Sequence, residues 1–154
     1  MILMAFTCKP KRVSIQALPP GTTADRETMI EYLRTTGRRF NNLKKDKICL
    51  KNCLLMWDNA RPHVAAATTQ FLAGREVQTV KQSPYSPDLN LCDRFLFRKL
   101  KHLLRNEDFG GHEEATAAVQ WAMGRVSEDE LFDQLKKLRD HCHEVIQAGG
   151  DYVF

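Results

Sequence analysis

Two aspartates stand out for what their side chains and neighbours could do together. Asp58 sits in Trp57-Asp58-Asn59-Ala60-Arg61-Pro62-His63, and Asp93 closes Tyr85-Ser86-Pro87-Asp88-Leu89-Asn90-Leu91-Cys92-Asp93, with 34 residues between the two. Asp58 follows the apolar run Cys53–Trp57, which reads as a strand, and Asp93 lies three residues after Asn90, whose side chain suits the cap of a following helix. In open α/β sheets, functional side chains collect at the carboxyl ends of strands. A carboxylate in the first turn of a helix complements the helix dipole. Brought to one point, the two suit a hard divalent cation such as Mg²⁺ or Mn²⁺. In two-metal phosphoryl transfer, ions about 3.5–4 Å apart clamp the attacking and leaving oxygens. Two aspartates hold one ion weakly and do not complete that clamp. A strand-end aspartate also closes turns, and a helix-start aspartate also serves the dipole alone, so structural roles stay open on spacing.

The elements that must position these carboxylates follow from periodicity. Ile2–Cys8 is an apolar run that suits a buried strand. Lys9-Pro10-Lys11 makes a turn, and Val13, Ile15 and Ala17 alternate with Ser14 and Gln16 as in a half-exposed strand, so a hairpin is expected. Thr22 or Thr23 caps a helix to about Thr36, with Met29, Ile30 and Leu33 buried and Gly37 as terminator. Cys53–Trp57 reads as a strand covered on both faces, as in parallel sheets. Pro62 opens a helix that runs through Leu72 to Gly74, and Val77–Val80 is a short strand. A long helix spans Asn90 to about Arg105, another Glu113–Arg125, and a last one begins at a Ser127/Glu130 capping box with the stripe Leu131, Leu135, Leu138, Cys142 and Val145. Trp121 is expected in the core. The order implies an α/β layer architecture with a small mixed sheet.

Bulk composition narrows the class. A chain of 154 residues, 43% hydrophobic and 27% charged, is one domain's worth of ordinary globular protein. A net charge of +4 is compatible with a polyanionic partner without demanding one. Five cysteines with no C-x-x-C pair argue against a disulfide framework or zinc ribbon, and reduced thiols in the cytosol or nucleus are expected. No run approaches the ~18–20 apolar residues of a membrane span, and the N-terminus lacks the features of a signal peptide. Cations cluster twice. Arg34, Arg38, Arg39, Lys44, Lys45, Lys47 and Lys51 face a single acid, Asp46, and Arg94, Arg98, Lys101 and Arg105 recur at spacings of four, three and four on one helix face beside Asp93. Each set is either a solvated face or a phosphate-contacting patch, with Arg38, Arg39, Lys44, Lys45, Arg94, Arg98, Lys101 and Arg105 the candidates for DNA contact. His141-Cys142-His143 does not make a metal site, because successive helical residues point about 100° apart.

The phrases around the aspartates add more than spacing does. Leu55–His63 resembles the mariner transposase phrase in which an aspartate is followed by Asn-Ala-Arg-Pro-His. Pro84–Leu89 with Cys92-Asp93-Arg94-Phe95-Leu96-Phe97 resembles that family's second phrase, at the interval of its mariner branch. Leu18–Thr23 and the stretch from Cys142 to Val153 also resemble family segments, so the likeness covers essentially the whole chain. The resemblance implies a ribonuclease H-like fold, a mixed sheet flanked by helices, and cut-and-paste DNA transposition. Asp58 and Asp93 would be the second and third catalytic metal ligands for Mg²⁺ or Mn²⁺, Asn59 and His63 site neighbours, and Asp88 a structural turn residue bonded to nearby backbone. Trp57 stands where the family commonly has histidine.

By the same alignment, Met1 meets the family's second strand. The expectation is a partial catalytic domain over residues 1–154, lacking the first, central strand with its aspartate and lacking the helix-turn-helix DNA-binding domain. Such a domain would bind metal weakly and be inactive alone, with a rearranged, self-associating sheet. Transposon-end DNA, a second copy or a full-length transposase would be its partners, and the nucleus its location. The other reading is a non-catalytic module that binds DNA or a transposase.

Overall fold

Apolar alternation produces a hairpin at the N-terminus. β1 (Ile2–Ala5) pairs antiparallel with β2 (Ser14–Ala17) in the register Ile2↔Ala17 to Ala5↔Ser14. The computed structural model describes residues 1–8, 13–44 (Lys44 by its backbone), 48 and 50–153; the expected turn at Lys9–Lys11 and the cation Lys45 lie outside them. Ser14, expected on the wet face, is 2% exposed. The reason is α1 (Arg26–Lys44): Ser14 Oγ donates to the Tyr32 hydroxyl at 2.9 Å and shares a hydrogen bond with Thr36 Oγ1 at 2.8 Å. A polar strand residue is buried there because helical hydroxyls satisfy it.

α1 corrects the sequence reading at both ends. Its cap is Asp25, whose Oδ1 accepts the Thr28 N–H at 2.8 Å and whose carbonyl accepts the Met29 N–H, rather than Thr22 or Thr23. It runs through Gly37, where Leu50 packs from outside at 3.5 Å from an ideal Cβ position. Packing of Tyr32 and Phe40 on either side overrides the low propensity of one glycine.

The strand before Asp58 is shorter than its apolar run. β3 (Leu54–Leu55) pairs in parallel with β4 (Gln78–Thr79), and the Val80 N–H extends the ladder to the Leu55 carbonyl. Leu54 is 68% exposed, so this strand is not covered on both faces. Between the strands, one expected helix is two, α2 (Arg61–Val64) and α3 (Ala66–Ala73). Ala65 is extended (φ −59°, ψ 138°), and Thr68 Oγ1 donates to the Pro62 carbonyl that the break would otherwise strand.

The core lies among the C-terminal helices. A π-helical turn, Cys92–Leu96, leads without interruption into α4 (Phe97–Leu103), followed by α5 (His112–Arg125) and α6 (Glu128–Gln147). Leu91, Phe95, Leu96 and Leu100 pack against Ala122, Met123, Val126, Leu131 and Leu138, with Met4, Phe6, Ile15 and Met56 closing the side toward the strands. Each fully buried leucine contributes about 1.5–3 kcal/mol. Ser127 Oγ caps α6 by accepting the Glu130 N–H, while the Glu130 carboxylate pairs with Lys99 at 2.9 Å. The buried face of α6 takes His141 and leaves Leu135 out. Trp121 is half exposed under the Arg125 guanidinium at 4.6 Å instead of in the core. Arg105 falls past the end of α4.

Candidate metal centre

Asp58 sits where the chain leaves β3 and turns into α2. Oδ1 accepts the Ala60 N–H at 3.0 Å and lies 2.6 Å from His63 Nδ1. An ionised carboxylate only accepts, so Nδ1 carries the proton of that bond. The Trp57 ring stacks on the His63 ring at 4.4 Å with the planes 5° apart, which holds the imidazole against Asp58. Among the described residues, both bonds to the Asp58 carboxylate fall on Oδ1, and Oδ2 is the oxygen left for a cation. Trp57 therefore does more than fill space: where the resembling family commonly carries histidine, it is the wall that orients His63.

Asn59 reaches across to the segment that follows β4. Its Nδ2 donates to the Gln82 carbonyl at 3.0 Å, just beyond β4. A cleft of about 430 Å³ opens beside these groups, with Trp57, Asn59, His63, Leu72, Val80 and Gln82 in its lining.

Asp93 belongs to the π-helical turn. Asn90 launches it as its sequence position suggests: Oδ1 accepts the Cys92 N–H at 2.9 Å and the carbonyl accepts the Arg94 N–H. The wide turn closes with the Phe97 N–H on the Cys92 carbonyl, and single π turns of this kind recur at functional sites. Asp93 is exposed while Phe95 and Leu96 are 6% and 0% exposed. Partial desolvation first, and the charge of Asp58 second, hold the Asp93 carboxyl above the ordinary carboxylate range. The neighbouring Cys92 thiol is pushed up to about 11 by burial, then by Asp93 and Asp58. The two aspartates thus share one electrostatic neighbourhood. Two carboxylates that repel one another form an oxygen donor set that a divalent cation relieves. Among the described residues, no group of three or more His, Cys, Asp or Glu side chains is arranged for a metal.

The cations divide. Arg94 is half-buried, and its Nη1 donates to the Asp88 carbonyl at 3.4 Å, whereas Arg98, Lys101 and Arg105 are exposed. Arg38 and Arg39 are exposed on α1, Arg38 beside Glu31 at 3.8 Å, and the Lys44 side chain is outside the described residues with Lys45. Asp88 does not serve as a purely local turn residue. Its Oδ2 is 2.9 Å from His141 Nε2 across 53 residues of sequence. Neither that contact nor the position of Gln82 carries a local sequence signal.

The fold and the paired phrases define the class of architecture: this is the fold of a mariner transposase catalytic domain. The chain matches the Mos1 catalytic domain solved with Raltegravir and Mg at a TM-score of 0.83 and 20% identity, covering 93% of this chain and 72% of that one. It matches the Mos1 mariner paired end complex with Mn at a TM-score of 0.81 and 20% identity, covering 93% of this chain and 42% of that one. In sequence, it is 27% identical over 135 residues to the human histone-lysine N-methyltransferase SETMAR, covering 88% of this chain and 20% of that protein's length. The chain therefore spans one fifth of its curated relative. No family model matches it. No helix among the described residues is long and apolar enough to cross a membrane.

Proposed function

We propose that residues 1–154 are part of a mariner-type transposase catalytic domain in which Asp58 and Asp93 hold a divalent cation for phosphoryl transfer on transposon-end DNA. The observation that carries this reading is the pair itself: two aspartates from the two family-like phrases, one just past a strand end and one on a π turn, with the Asp58 charge reaching both Cys92 and Asp93. Mg²⁺ or Mn²⁺ fits their hard oxygen donors, and Mos1 structures with Mg and with Mn support the choice. Such an ion, when bound, polarises a phosphate oxygen and stabilises developing charge. The protein's own work is orientation: His63 and the Ala60 N–H fix Asp58, and the Asn90 cap fixes Asp93.

The sheet supports a finer reading. β1–β2 and β3–β4 form separate two-stranded ladders. A strand seated between them would join the ladders and bring a third carboxylate to the pair, from another segment or another chain. With Asp58 and Asp93 alone, metal binding is weak and cleavage does not occur. The alternative, a non-catalytic module that binds DNA or a transposase in the nucleus, is favoured by the exposed Arg98, Lys101, Arg105, Arg38 and Arg39.

Calorimetric titration with Mn²⁺, beside a nicking assay on transposon-end DNA, tests the proposal. Weak Mn²⁺ binding that Asp58→Asn and Asp93→Asn each abolish is the expected result. Binding that survives both substitutions, with DNA affinity also unchanged, would move the chain to the module reading.

A further inference from the structure

We infer that His141, acting through Asp88, is a positioning residue for the Asp58/Asp93 pair, an inference that rests on those two aspartates forming the metal centre. His141 Nε2 lies 2.9 Å from Asp88 Oδ2, with the two side chains only 8% and 18% exposed. Taking such polar groups out of water costs stability unless each finds its partner, so the contact holds α6 and the Pro87–Leu89 turn in one relative placement.

That turn is tied to both aspartates. On one side, Arg94, the residue after Asp93, donates to the Asp88 carbonyl at 3.4 Å, and Asn90 caps the π turn immediately downstream. On the other side, Gln82 Nε2 donates to the Ser86 carbonyl at 3.2 Å, and the Gln82 carbonyl accepts Asn59 Nδ2 at 3.0 Å. Asn59 adjoins Asp58. A run of side-chain-to-backbone hydrogen bonds therefore connects the neighbour of one aspartate to the neighbour of the other. His141 pins its midpoint to the longest helix of the core. Glu144 Oε2, 3.7 Å from His141 Nδ1, faces the imidazole from the same helix. A metal centre split between a strand end and a helix start needs its two halves held to within a fraction of an ångström, and groups behind the ligands supply that constraint.

The test compares His141→Leu and His141→Gln with the parent chain, because a glutamine Nε2 can still donate to Asp88. Three measurements are made: Mn²⁺ affinity by calorimetry, metal-free amide hydrogen exchange over residues 86–95, and thermal unfolding. His141→Leu should weaken Mn²⁺ binding about ten-fold and speed exchange in that segment. His141→Gln should recover both. Equal loss in the two variants, tracking a fall in Tm, would reduce His141 to core packing and overturn the inference. Parent-like exchange and binding in His141→Leu would overturn it too. If the parent chain itself binds no Mn²⁺, the metal reading fails, and the exchange comparison alone decides whether His141 sets the turn.

Discussion

At the scale of single residues, Asp93 has a measurable signature. Its folded carboxyl is held above the ordinary range by desolvation and by Asp58, so the folded state keeps the proton more tightly than the unfolded chain does. Stability from this group is full below the ordinary carboxylate range and is lost as pH rises through the raised folded value. Asp93→Asn cannot ionise. It should therefore raise Tm at pH 7, with the gain disappearing as the solution is acidified below that range. An unchanged Tm at pH 7 would mean that neither desolvation nor the Asp58 charge disfavours the Asp93 carboxylate. The two aspartates stand out in the chain because each sits in a long family-like phrase, and the local turns expected around them are found: Pro62 at the start of a helix in one, Asn90 capping a helical turn in the other. The groups that hold them were less legible. His63 was recognisable only as a neighbour, and its stacking on Trp57 depends on ring orientation, which no spacing encodes. His141 and Asp88 meet across 53 residues, a distance that leaves no periodic trace.

Among the elements, α1 shows how packing overrides local preference. Sequence reading stops the helix near Gly37, yet it continues to Lys44 because Tyr32 and Phe40 are both buried on its inner face. The position has ordinary room, with the nearest outside atom, Leu50 Cδ1, at 3.5 Å from a built Cβ. Gly37→Ala should accordingly stabilise the protein by about 0.5–1 kcal/mol, read as a rise in the urea midpoint with the slope unchanged. A destabilised variant would show that Leu50 cannot give way. The hairpin, the presence of strands at β3 and β4, and α5 and α6 followed from periodicity, whereas the parallel pairing of β3 with β4 did not. The break at Ala65 and the extent of β3 did not, because Thr68 answering the Pro62 carbonyl and the open flank of Leu54 are tertiary facts. The π turn is likewise invisible to a 3.6-residue template. It lets Asp93 face solvent while Phe95, Leu96 and Leu100 stay in the core.

For the whole molecule, the exposed cations near Asp93 matter collectively. If the chain binds DNA through its backbone, replacing Arg98, Lys101 and Arg105 by Gln should weaken binding to any sequence. The slope of log affinity against log salt should fall by about one for each phosphate contact removed. Unaltered affinity and slope would leave that face merely solvated. A last consequence concerns the order of assembly. The core cluster of the C-terminal helices is built from residues 91–138, nearly contiguous in sequence, whereas the short ladders add their apolar side chains only at its edge. Local helical contacts form early, and pairings between distant segments form late. By that rule, the segment carrying Asp93 is predicted to form first and the segment carrying Asp58 to dock onto it. A cation gripped by both would recognise only the fully docked chain, and by mass action would raise its melting temperature as the ion concentration climbs. Under the proposed reading, such an ion would staple the two halves of the fold as well as take part in chemistry.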